Sequence, residues 1–158
     1  MSLHAYVADI AQHAQRHAGR MPESQALVYG VEHVVERVMP SRVLTSLNDA
    51  RQWLERVCET EGWDTPEVQR IRSTKWSGVA SSEWQVIGLS TRATVLTLAH
   101  ELAHVTCGAD GHGEVWREQF VHIVREHVSV QHASLLHTLY NRFRLDSGQW
   151  RLSETSRL

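Results

Sequence analysis

Three histidines and a glutamate fall within thirteen residues of one stretch: His100, Glu101, His104 and His112, in the run TLAHELAHVTCGADGHGEVW. On an α-helix, residues four apart stand one turn apart on the same face, so His100 and His104 can aim both imidazoles at one point. Glu101 is turned about 100° from His100, too far to join them as a ligand but able to reach a water beside a bound ion. This is the mechanical content of the HExxH spacing, in which two neutral imidazoles hold Zn²⁺ and the neighbouring carboxylate takes a proton from water. The surrounding residues Val95, Leu96, Leu98, Leu102 and Val105 make this an apolar helix. A polar trio on a buried helix is costly unless something satisfies it, which favours a metal over a chance surface pairing.

A catalytic zinc needs a third protein ligand and an open fourth position. His112 follows His104 by eight residues and lies between Gly111 and Gly113, which would let the chain turn sharply and present the ring to the helix. Asp110 ranks next, although its preceding glycine sits at 108 and not 107. Glu114 and Glu118, on the following segment, rank last. Asp110, Glu114 and Glu118 are also candidates to accept a hydrogen bond from a ligand histidine. Cys107, three residues after His104, could face the site or be a buried thiol. Arg117, His122, His127 and Tyr140 carry the chemistry to stabilise a developing oxyanion, and each serves equally well as a packing or surface residue.

The elements that must position these groups are readable from apolar spacing. Residues 3–18 have a helical pattern ending at Gly19; a second helix opens near Ser24 and stops before Pro40. A third starts at Ser46 and closes at Gly62. Residues 68–78 and 82–90 alternate imperfectly around a Gly/Ser-rich turn and read as two short antiparallel strands. The histidine helix follows, capped by Ser90 or Thr91 and ending at Gly108. Two more helices are expected over 114–128 and 131–143. The organisation is a single α+β domain: a helical part over 1–66, a core over 67–128, a C-terminal helix over 129–146 and a loose tail over 147–158.

At 158 residues the chain is long enough to bury one core unaided. A net charge of −2 argues against a nucleic-acid-binding surface, leaving the basic stretches at 70–76 and near 142–151 to be read as solvated surface. Cys58 and Cys107 are too few and too far apart for a disulfide framework. No apolar run is long enough to span a bilayer, and the N-terminus lacks a basic-then-apolar leader, so a cytoplasmic location is expected. Oligomeric state leaves no mark on the sequence.

HELAH at 100–104 followed by GHGEVW at 111–116 resembles the SprT-like or Spartan-like zinc metallopeptidases, and IGLS at 87–90 looks like the I-x-L strand that family places before its active-site helix. It is similar, closer still, to small metallohydrolases of actinobacteria and their phages. The resemblance covers about residues 68–128. It implies a zincin-like fold with Zn²⁺ on His100, His104 and His112, Glu101 as general base and acid, and a peptide or protein as substrate. It also implies that Trp116 packs the third-ligand loop onto the helix, and that strand 83–89 is the sheet edge to which a peptide adds. The chain shows no Cys-rich ribbon, basic tail or nucleic-acid module, so the DNA-linked role of part of that family is not implied. Two alternatives remain: a non-catalytic zinc-binding or partner-binding module, and a metal-dependent amidase acting on a non-protein or cell-wall amide.

Overall fold

Amphipathic spacing produces six helices among the described residues, and a short β segment between the third and fourth produces a small sheet. The computed structural model describes residues 2–108 and 111–150. The helices are α1 (Leu3–Gln15), α2 (Glu23–Val38), α3 (Leu47–Glu61), α4 (Val95–Cys107), α5 (Glu114–His127) and α6 (Val130–Arg142). Strands β1 (Glu67–Arg70), β2 (Gly78–Ser81) and β3 (Val86–Leu89) lie between α3 and α4. The α+β class expected from sequence is therefore present, and no helix among the described residues is long and apolar enough to cross a membrane.

The sheet differs from the two antiparallel strands expected. Its order is β1-β3-β2, with β1 parallel to β3 and β2 antiparallel to it. Residues 68–78, read as one strand, divide into β1, a connection and β2, so a third strand appears. The segment 83–89 was expected at the edge; β3 instead lies in the centre. Its residues Ile87, Gly88 and Leu89 are consecutively buried, the mark of a strand covered on both faces and not of an alternating edge strand. The edge on the α4 side is β2.

Helix α4 is the centre of the molecule. Nine of its thirteen residues are buried, which requires partners all around it. It packs on β2 and β3 and on α5; α5 continues onto α6, α6 onto α2, and α1 lies on α2. Each fully buried leucine, such as Leu98 or Leu102, contributes about 1.5–3 kcal/mol by leaving water. The start of α4 is fixed by Thr94, not by Ser90 or Thr91 as expected. The Thr94 hydroxyl accepts from Thr97 N–H, and Thr97 Oγ1 accepts from Thr94 N–H, closing a reciprocal cap. Residues 42–44 run beside this cap, with Leu44 N–H donating to Ala93 O and Val95 N–H to Arg42 O. The other ends are ordinary: Ser46 caps α3, Gly62 closes it at φ 75°, and Pro22 occupies the cap position of α2 in place of the expected Ser24.

At the C-terminal side, Ser147 is buried and Trp150 lies against the Arg125 guanidinium, 4.8 Å from its ring centre. The remainder of the expected tail, 151–158, lies outside the described residues.

Candidate metal centre

Helix α4 and the segment that follows it bring three of the candidate ligands together. The Nε2 atoms of His100, His104 and His112 form a triangle with every side 3.1 Å. Among the described residues these three make the group that could hold a metal ion. Two ligand atoms about 2.0–2.1 Å from a tetrahedral ion stand roughly 3.3 Å apart, so the observed spacing fits a small divalent cation with little adjustment. His112 reaches the triangle across a turn in which Gly108 and Gly111 take φ of 75° and 63°, values that favour glycine. Gly113, expected to share that task, has φ −70° and caps α5 in an extended conformation.

The protonation states suit ligation. Burial lowers His104 to about 3, with His100 adding to the effect. Burial, followed by His100, His104 and Arg117, lowers His112 to about 2. Both rings are neutral and offer lone pairs. For His100, burial pulls the pKa down, but the Glu32 carboxylate outweighs it and the net direction is up. Glu32 lies 2.7 and 2.9 Å from His100 Nδ1 through its two oxygens. A carboxylate only accepts, so Nδ1 carries the proton and Nε2 is left free for an ion.

Glu32 is the supporting carboxylate that sequence reasoning missed. Asp110 lies outside the described residues. Glu114 is exposed at the start of α5, and Glu118 lies against Gly148 on another face. Glu32 comes from α2, whose apolar stripe had been read while its polar one had not. Gln25, Tyr29, Glu32 and Glu36 follow at helical intervals and face α4. Glu36 accepts from the Thr94 hydroxyl at 2.6 Å and from Ser41 N–H at 3.0 Å, tying α2 to the cap of α4. That i, i+4, i+7, i+11 stripe was the available signal.

Glu101 is 6% exposed. Burial raises its carboxyl to about 7, opposed by His100 and assisted by Glu32. It faces Gly78 of β2: a Cβ there would lie 2.9 Å from Glu101 Cγ and 3.0 Å from Glu101 Oε1. The missing side chain at Gly78 is therefore what lets the edge strand approach the carboxylate.

Trp116 is fully buried beneath the triad, with its ring centre 4.6 Å from those of His100 and His112 and 5.1 Å from that of His104. It continues onto Phe120 at 5.0 Å. Its expected packing role is thus visible. Above the triad a cleft of about 510 Å³ is bounded by Tyr29, Trp76, β2 and Gly111. A second lobe of about 350 Å³ runs past His100 and Glu101 to His13, His17 and His33.

The four candidate oxyanion stabilisers lie elsewhere. Arg117 is buried and donates to the backbone oxygens of His112 and Asp146, both at 2.6 Å, so it anchors the ligand loop. His122 and His127 share Glu61 Oε1 at 2.9 and 2.7 Å. Tyr140 is fully buried in the core. Cys58 is buried, Cys107 is half-buried, and neither forms a disulfide.

Comparison with protein-family models, with curated proteins and with solved structures finds no match for this chain.

Proposed function

We propose that this protein is a zinc-dependent hydrolase of the zincin-like, SprT-like kind, cleaving peptide bonds with Glu101 as the proton carrier. The observation that carries the reading is the triangle of three imidazole nitrogens, 3.1 Å on each side, with a buried carboxylate lining the same open cleft. Three imidazoles suit zinc, and the three ligands found among the described residues would leave a position open, as in catalytic sites and unlike closed structural ones. When bound, zinc would polarise the scissile carbonyl and make water acidic enough to attack at neutral pH.

His100, His104 and His112 would hold the ion, with Glu32 fixing the ring orientation of His100. Glu101 accepts a proton from the attacking water as its oxygen bonds to the carbonyl carbon. It then delivers that proton to the nitrogen as the C–N bond breaks. The raised carboxyl of Glu101 matches a group that both takes and returns a proton near neutrality. A peptide substrate is favoured by β2: as the edge strand, with Gly78, Val79 and Ala80 lining the cleft, it can pair with an extended chain.

The test is elemental analysis together with hydrolysis of a peptide library. Wild type should carry one zinc per chain, E101Q should keep the zinc and lose hydrolysis, and H112A should lose the zinc. Full activity in E101Q, or no zinc in reconstituted wild type, would reject the reading.

A further inference from the structure

Amide hydrolysis builds negative charge on the carbonyl oxygen, and a site that accelerates it places hydrogen-bond donors there in advance. None of the four donors singled out from sequence faces the cleft. Tyr29 does. It lines both lobes, and its ring centre lies 5.1 Å from that of His112 and 6.0 Å from that of His100. Two other donors of the cleft are placed differently: the Trp76 ring is tilted against Tyr29 with ring centres 6.0 Å apart, and Thr97 completes the α4 cap.

The backbone at Tyr29 is held firmly, with Val28, Gly30 and Val31 buried around it in α2. Gln25, one turn earlier on the same face, lines the metal-side lobe beside Tyr29. The helix that supports His100 through Glu32 thus also places a phenol at the mouth of the site.

We propose that the Tyr29 hydroxyl donates a hydrogen bond to the substrate carbonyl oxygen as it becomes an oxyanion. The hydroxyl keeps its proton throughout; the only proton carrier is Glu101. This rests on the hydrolase reading above, and it makes Tyr29 a catalytic residue that the motif does not contain.

The experiment uses the full-length zinc-loaded chain, wild type and Y29F, and two peptide-like probes followed by calorimetry. A phosphinic dipeptide carries a tetrahedral, anionic oxygen like that of the transition state. A mercaptoacetyl dipeptide anchors through sulfur and offers no such oxygen. Y29F is expected to bind the phosphinate about 10²-fold more weakly, the scale set by removal of one oxyanion donor. The thiol should bind within twofold of wild type, and zinc content and thermal midpoint should be unchanged. Equal phosphinate binding in Y29F and wild type, or equal losses for both probes, would overturn the role of Tyr29 while leaving the hydrolase reading intact. Failure of zinc-loaded wild type to bind either probe would overturn both.

Discussion

Replacing Glu32 with alanine isolates what one carboxylate contributes to the candidate metal centre without being one of its three ligands. Both oxygens lie within hydrogen-bonding distance of His100 Nδ1, at 2.7 and 2.9 Å. The His100 and Glu32 side chains are 6% and 17% exposed, so water competes poorly for the pair. A hydrogen bond to a charged group under those conditions contributes about 1.5–3 kcal/mol. At about 1.4 kcal/mol per decade this corresponds to a loss of roughly 10- to 100-fold in affinity, which is also the range found when such outer partners of ligand histidines are removed. The mechanism is tautomeric as well as energetic: without Glu32, nothing holds the proton on Nδ1, and a proton on Nε2 blocks the ion. E32Q keeps an acceptor oxygen and loses the charge, so its affinity should fall between those of wild type and E32A. The assay is competition for zinc against a chromophoric chelator at constant pH, with thermal unfolding of the apo proteins as a control for folding. An E32A affinity within twofold of wild type would refute the reasoning, as would an E32Q loss larger than that of E32A.

Three further outcomes follow from other contacts. G78A should drive a methyl group against Glu101 Cγ and Thr97 Cγ2, each 2.9 Å away; zinc binding should survive, while turnover falls about 10²-fold from misplacement of the carboxylate. Peptide kinetics beside metal analysis would check this, and unchanged turnover would contradict it. R117M should release the backbone oxygens of His112 and Asp146 and weaken zinc binding less than H112A does, measured by the same competition. For Glu61, burial acts to raise the carboxyl, but His127 and His122 prevail and hold it below its ordinary value of 4.5. Its folded pKa is thus lower than its unfolded one, so its stabilisation is present above about pH 4.5 and is lost as pH falls through the folded value. Denaturant melts should show E61Q less stable than wild type at pH 6, with the gap narrowing towards pH 3; a gap that widened in acid would have the wrong sign.

The parts of the structure legible in the sequence are those whose signal is local. The apolar stripes of α2, α3, α5 and α6 repeat over several turns and define their helices to within a few residues. His100, Glu101 and His104 declare their geometry through helical spacing alone, and His112 through the glycine before it. Strand β1 was not separable from its surroundings because EVQR has one buried apolar residue, Val68, and one residue has no period. Its parallel pairing with β3 depends on where β2 inserts, which no local pattern encodes. Glu32 and Tyr29 were hidden for a related reason. Their partners are some seventy residues away, and a polar residue beside an apolar stripe looks the same whether it meets solvent or a metal ligand. Thr94 was passed over as a cap because Ser90 and Thr91 offered the same chemistry nearby; the pairing of Thr94 with Thr97 and Glu36 decided among them.

The candidate metal centre is assembled over two very different chain separations. The outermost ring nitrogens, on His100 and His112, belong to residues twelve positions apart, whereas Glu32 stands 68 positions from His100. Closing the first loop costs little chain entropy, and the cost rises only slowly for the second, but the long contact also requires α2 to dock. The three ring donors all lie on α4 and the turn after it, whereas the carboxylate that fixes the tautomer of His100 comes from α2. Holding an ion and fixing the tautomer of His100 would thus depend on different contacts, the first on α4 and the turn after it, the second on the docking of α2.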